Sequence, residues 1–215
     1  MATLTTVATI ILSYLLGAVP FGLLVARLHG VKDIRERGSG NIGATNVWRT
    51  AGPGAAAWVF ILDIGKGAAA LVLARLIGSS LLSADIFFIC CGGAAIVGHV
   101  FPIYLRFKGG KGVNTALGVM VMLLPLETTI AVGLFLIVVG LTRYVSLGSI
   151  IGALGLPLAI LLEQMLFERT VENIYLYVTL ALALLVLLTH RKNLARLLSG
   201  TEDRFSLSPD PREVK

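Results

Sequence analysis

The fold turns on VNTALGVMVMLLPLETTIAVGLFLIVVGLT, residues 113–142. This stretch reads either as one long tilted membrane helix or as two short ones broken near Leu124-Pro125. The flanking charges decide between the two. Cytoplasmic loops of membrane proteins carry an excess of Lys and Arg. With two helices in 113–142, four basic clusters share one side. These are the 29–52 loop with Arg27, the 101–112 cluster, Arg143, and the segment after 189. Together they hold 15 of the 18 Lys and Arg. With one helix, Arg143 and the basic C-terminal segment change sides. Two helices are therefore expected, and the one at about 113–124 is too short to cross alone without tilting or sitting deep among its neighbours.

The rest of the chain supports a membrane reading. Of 215 residues, 56% are hydrophobic and 14% charged, with a mean hydropathy of +0.89. Soluble domains carry about 25% charged residues. Apolar runs of bilayer-crossing length fall at about 4–28, 53–77, 85–100, 147–163 and 174–189. The predicted fold is an all-α, polytopic integral membrane helix bundle of about seven transmembrane helices. Its N-terminus lies outside and its C-terminus in the cytoplasm. Residues 1–200 form one membrane-embedded domain, and 201–215 form a flexible cytoplasmic tail. No Lys or Arg precedes the first apolar run, so that run is no typical signal peptide and is expected to stay in the mature protein.

Between the first two spans lies Gly38-Ser39-Gly40-Asn41-Ile42-Gly43-Ala44-Thr45-Asn46-Val47-Trp48-Arg49. Closely spaced glycines let several backbone N–H groups converge on one point. Ser39, Asn41, Thr45 and Asn46 add neutral hydrogen-bonding groups, and Arg49 adds a fixed positive fork. That is chemistry for holding a phosphate, and a plain connector needs little of it. The literal Gly38-x-Gly40-x-x-Gly43 spacing matches a dinucleotide fingerprint, but the strand and βαβ unit that fingerprint requires are missing.

A second cluster is Phe107-Lys108-Gly109-Gly110-Lys111-Gly112. It fails the Walker A template, with Leu105 where a Gly belongs and Gly112 where Ser or Thr belongs. Two lysines on a glycine-rich backbone still make an anion cradle. His99 just before it reads as a helix-end packing residue. Further polar groups are Arg143 with Ser146, and His190-Arg191-Lys192-Asn193 at the end of the last span. His190 and Asn193 lie three apart on one face. His190 suits a helix C-terminus as well as a site. Asp63 and Lys66, three apart within a span, are expected to neutralise each other as a structural pair. Arg75 and Asp85 stand near span ends, where long side chains snorkel. Cys90 and Cys91 are read as buried hydrophobes. No metal-ligand spacing occurs, and no cofactor or nucleic-acid partner is expected.

These motifs together resemble the bacterial acyl-phosphate:glycerol-3-phosphate acyltransferase family. The likeness rests on 38–46, Gly98-His99-Val100-Phe101-Pro102, 107–113, Arg143-Tyr144-Val145-Ser146-Leu147 and His190-Arg191-Lys192-Asn193. Asn114 stands where alanine is common in that family. The resemblance implies an enzyme of the bacterial inner membrane whose active site faces the cytoplasm. It would pass a fatty acyl group from acyl phosphate to the 1-position of glycerol 3-phosphate, giving lysophosphatidate and phosphate, the first committed step of phospholipid synthesis. It further implies catalytic roles for Ser39, Arg49, Lys111, His190 and Asn193. Substrate and phosphate contacts would come from Gly38, Gly40, Asn41, Thr45, Asn46, Lys108, Gly109, Gly110, Gly112 and Ser146. Either loop suits either phosphate. The basic face also suits a soluble enzyme that forms acyl phosphate. The His-x-x-x-x-Asp motif of other glycerol-phosphate acyltransferases is absent, since Ile34, Tyr104 and Ala195 stand five residues after the three histidines. A transporter for a phosphorylated solute is the rival class. Transporter sites lie near the bilayer midplane between internal repeats, whereas these motifs gather at one interface and no repeat is evident.

Overall fold

The computed structural model describes residues 2–166 and 171–206. The tail residues from 207 onward, assigned above, lie outside the described residues. The described residues form nine α-helices and no strand. They are α1 Ala2–Ala18, α2 Phe21–Leu28, α3 Ala44–Ile77, α4 Ala84–Val100, α5 Val113–Leu123, α6 Pro125–Thr142, α7 Val145–Leu166, α8 Asn173–Thr189 and α9 Arg191–Leu198. The chain divides into two compact units, Met1–Met122 and Leu123–Leu207.

In the first unit, the run expected as one span at 4–28 is two helices. Pro20 has no N–H to continue the ladder, and α1 ends at Ala18. At this break the Val19 carbonyl accepts from the Phe21 N–H at 3.1 Å and from Lys66 Nζ at 2.9 Å. The second span begins earlier than expected. α3 starts at Ala44, inside the stretch read as loop, because Val47 and Thr50 bury one face of about two and a half added turns. It breaks at Gly52, whose φ of 88° suits glycine, and restarts at Pro53.

α4 packs on α1 and α3. Helix association in lipid relies on close packing of small residues. Gly67 of α3 and Gly118 of α5 supply it here: a Cβ on Gly67 would lie 2.2 Å from the Thr115 carbonyl oxygen, and one on Gly118 2.0 Å from that of Ile64. Gly118→Ala would therefore force α5 away from α3. α5 has 11 residues, about 16 Å at 1.5 Å per residue, so it is too short to cross a hydrocarbon core of about 30 Å.

In the second unit, Leu124 leaves the helical conformation (φ −138°, ψ 67°) and Pro125 opens α6, as residues before and at a helix-starting proline do. α6 turns into α7 through Arg143, which is left-handed at φ 62°, and α7 packs on α8. Leu136, Ile137 and Leu184 are exposed, as side chains facing lipid are.

Among the described residues, five helical stretches are long and apolar enough to cross a bilayer: Ala2–Leu28, Ala44–Ile77, Ala84–Leu105, Pro125–Thr142 and Val145–Leu166. α8 with α9, bent by 63°, makes a sixth. α9 itself was not anticipated, because its first turn is charged.

Candidate active site

The loop before α3 is built around one amide. Asn46 is 3% exposed. Its Nδ2 donates to the carbonyls of Asn41 (2.8 Å), Arg37 (3.1 Å) and Ile34 (3.2 Å). Its Oδ1 accepts from the Ser39 N–H at 2.9 Å. The sequence gives Asn46 to phosphate, but the structure turns its amide inward, where it shapes the loop. Asn41 likewise accepts from the Gly43 N–H at 2.8 Å. Gly38 completes the turn with φ +53°, and a Cβ there would meet Asn46 Oδ1 at 2.3 Å. Upstream, Asp33 caps the short 3-10 turn Ile34–Glu36. The Arg35 guanidinium, and then the Arg35 N–H, hold its carboxyl down at about 2. Ser39 and Gly40 are exposed, while Thr45 and Arg49 are half-buried. The positive end of α3 opens at Ala44, beside them.

The second loop of this unit doubles back on the end of α4. Arg106 and Phe107 are left-handed. The Gly109 N–H then donates to Val100 O (3.2 Å) and the Gly110 N–H to His99 O (3.1 Å). The sequence reading offers these glycine amides to an anion, and the structure spends both on α4 carbonyls. What the loop presents is the start of α5 just after Gly112, together with the lysines. Lys108 is exposed and Lys111 half-buried. The two loops share an apolar core: Leu105, before Lys108, packs against the cluster of Leu23, Ile34, Ile42 and Val47 beneath the Ser39 loop.

Below the second loop sits a buried polar group. Lys66 Nζ lies 2.8 Å from Asp63 Oδ1, the pair expected from their spacing. His99 joins them, its Nδ1 3.6 Å from Asp63 Oδ1 and 3.1 Å from Thr115 Oγ1. The sequence reading treated His99 as helix-end packing and did not foresee these partners.

In the second unit, Ser146 and Asn193 meet on a residue that the sequence reading missed. Glu202 Oε1 accepts from Ser146 Oγ (2.6 Å) and Asn193 Nδ2 (2.7 Å), and Oε2 accepts from Arg196 Nε (2.7 Å). Burial pushes the Glu202 carboxyl up, but the hydrogen bonds from Ser146, Asn193 and Arg196, with the Arg196 charge, hold it below the ordinary glutamate value. The chain around it is fastened too. The Phe205 N–H donates to Arg143 O at 2.6 Å, and Arg204 Nε reaches the Tyr144 hydroxyl at 3.3 Å. Residues 201–206, read as the start of a tail, thus fold back onto the α6–α7 turn. The signal available was the acidic pair Glu202-Asp203 following Gly200 in a basic segment.

His190 is 2% exposed and caps α8. Its Nδ1 lies 2.9 Å from Val186 O. A carbonyl only accepts, so Nδ1 carries the proton and Nε2 of the neutral ring is an acceptor.

A family model described as glycerol-3-phosphate acyltransferase matches residues 7–200. Among curated relatives, the glycerol-3-phosphate acyltransferase of Desulforudis audaxviator is 44% identical over 206 residues, covering 96% of this chain and 98% of its own. That of Geobacter sulfurreducens is 47% identical over 195 residues, covering 90% and 94%. Among solved structures, the chain is similar to PlsY (YgiH), described as an integral membrane glycerol 3-phosphate acyltransferase. Its glycerol 3-phosphate form superposes with a TM-score of 0.80 at 34% identity, covering 94% of this chain and 96% of that one. Its lysophosphatidic acid form gives a TM-score of 0.78.

Proposed function

The chain belongs to the glycerol-3-phosphate acyltransferase family, and from that membership we propose that it moves a fatty acyl group from acyl phosphate to the 1-position of glycerol 3-phosphate. The products are lysophosphatidate and inorganic phosphate. One observation carries this reading. In a single unit, two glycine-containing polar loops on a shared core each lead into a helix N-terminus, one with Arg49 and the other with Lys108 and Lys111. Helix starts and basic side chains suit anions, and this reaction has two phosphates to hold. The related PlsY structures are named for a glycerol 3-phosphate form and a lysophosphatidic acid form, the acceptor and product of this transfer.

The chemistry needs no covalent intermediate, because an acyl phosphate already carries a good leaving group. The 1-hydroxyl of glycerol 3-phosphate attacks the acyl carbonyl carbon. The new C–O bond forms, the bond to the phosphate oxygen breaks, and phosphate departs with the electron pair. Ser39 and Arg49 donate hydrogen bonds to the first phosphate site, and Lys108 and Lys111 serve the second. Donors aimed at the developing oxyanion lower the barrier, and alignment of two bound substrates supplies further rate. Asn193 and Ser146 hold the acceptor side. His190 orients or deprotonates the attacking hydroxyl.

The excess of Lys and Arg in these loops supports a cytoplasmic site in a seven-span inner-membrane protein, with α5 as the short seventh helix and the N-terminus outside. Single cysteines at Ser39, Lys108 and Ser146, in a background without Cys90 and Cys91, should label from one side and a cysteine at Ser80 from the other. Labelling of positions 108 and 146 from opposite sides would discard that topology. The same face is where a soluble acyl-phosphate-forming enzyme would dock.

The activity itself is tested with purified protein in detergent. Glycerol 3-phosphate and a fatty acyl phosphate should give lysophosphatidate and phosphate in equal amounts, while acyl-CoA as donor should give none. Equal rates with acyl-CoA would refute the donor assignment.

A further inference from the structure

We propose that Asp63, Lys66, His99 and Thr115 form a buried positioning frame that sets the Lys108–Gly112 loop, with His99 gripping Gly110 from two sides. The inference rests on the reading above that this loop holds a substrate phosphate.

Charged side chains within a span are costly and need a reason to be there. Asp63 and Lys66 are 1% and 3% exposed, and a pair that only neutralised itself would need no further partners. This pair instead reaches four elements. Lys66 Nζ caps the Val19 carbonyl at the α1–α2 break (2.9 Å) and lies 5.6 Å from the centre of the Phe21 ring. Asp63 on α3 faces His99 on α4 at 3.6 Å, and His99 Nδ1 meets Thr115 in the first turn of α5 at 3.1 Å. The loop in question joins α4 to α5, so both of its ends are tied to the frame.

The other edge of the His99 ring bears on the loop directly. A Cβ on Gly110 would lie 2.1 Å from His99 Nε2 and about as close to nothing else. The His99 carbonyl takes the Gly110 N–H at 3.1 Å. One residue therefore holds Gly110 by its backbone and by its ring, the ring being held by the Thr115 hydroxyl and faced by the Asp63 carboxylate. Replacing a buried ion pair by apolar residues is often neutral for stability, so a frame of this kind is better explained by where it places Gly110 and the adjacent Lys111. His99 acts through the loop, as a positioning residue.

The test is a double-variant cycle read by steady-state kinetics and by thermal unfolding in detergent. With KM measured for both glycerol 3-phosphate and acyl phosphate, Gly110→Ala should raise it by about tenfold or more for the substrate whose phosphate this loop holds, since small misplacements at a site are costly. His99→Ala should raise it comparably. In the double variant the new methyl occupies space that the ring has left, so its KM should be no worse than that of the poorer single variant. Thr115→Val keeps the side-chain shape and deletes the hydroxyl partner of Nδ1. It should raise KM several-fold with Tm little changed. If the two KM effects multiply, or if His99→Ala and Thr115→Val lower Tm while leaving KM alone, His99 is only packing and the frame is refuted. A wild-type protein that neither binds nor acylates glycerol 3-phosphate would overturn the functional reading and this proposal with it. An active wild type with independent variant effects would overturn the frame alone.

Discussion

The two units organise their polar residues around opposite kinds of hub. In the first, the neutral amide of Asn46 gathers three carbonyls and one N–H. In the second, the Glu202 carboxylate gathers donors from Ser146, Asn193 and Arg196. An amide both donates and accepts and does not titrate, so it suits a loop whose own backbone needs satisfying. A carboxylate only accepts, and it makes stronger charge-assisted bonds, so it suits a place where side chains from α7 and α9 must be drawn to one point. The first arrangement should be indifferent to pH, and the second should not.

The largest expected effect is on the neutral hub. Asn46→Asp keeps an acceptor for Ser39 N–H but sets a carboxylate against three carbonyls. The Asn41 carbonyl loses its donor, and those of Ile34 and Arg37 keep only the Arg37 and Gly40 N–H groups; with an unpaired polar group costing about 1–3 kcal/mol and a carboxylate set against all three, acyl transfer should fall about a hundredfold or more, with a lower Tm. Wild-type rate and Tm would show that the loop does not depend on this amide.

Arg49→Lys should cost about tenfold in kcat/KM, because the charge stays while the planar fork is lost and a charged hydrogen bond is worth about 1.5–3 kcal/mol. Wild-type kinetics would reduce Arg49 to a topology charge.

Glu202→Gln should show the smallest change at neutral pH, a several-fold loss, with its clearest signature in the pH dependence. The folded pKa of Glu202 lies below its ordinary value. Its stabilisation is therefore complete above that ordinary value and is lost as pH falls through the lower folded one. Thermal unfolding followed downward in pH should show this loss in the wild type, and the Gln variant should lack that component. Identical acid profiles would mean that Glu202 does not hold the cluster through its charge.

The helices were legible where apolar runs end in strong punctuation. α4 and α8 fall within a residue of their expected bounds, and Leu124-Pro125 separates α5 from α6 as expected. Hydropathy could not show the break at Val19-Pro20, because residue type does not reveal that Lys66 will reach the Val19 carbonyl there. It also hid the start of α3 at Ala44, where Gly, Thr and Asn read as loop until Val47 and Thr50 are seen to be buried. Both anion-suited loops were legible as composition. The inward duties of Asn46, Gly109 and Gly110 were not, since short polar groups and glycine amides bond to whichever carbonyls the fold brings near. Glu202 was missed for the same reason: its three partners stand 6, 9 and 56 residues away in sequence.

Both hubs bear on whether the enzyme forms an acyl intermediate. The Ser146 hydroxyl donates to Glu202, and the His190 Nδ1 proton is spent on Val186 O. Ser39 stands on the exposed rim of a loop shaped by Asn46. These residues are placed to bind and orient, so transfer should be direct. The decisive measurement is the initial rate with acyl phosphate and glycerol 3-phosphate varied together, with mass analysis of protein exposed to acyl phosphate alone. Direct transfer predicts intersecting lines and unmodified protein. Parallel lines with an acyl group on Ser39 would contradict it.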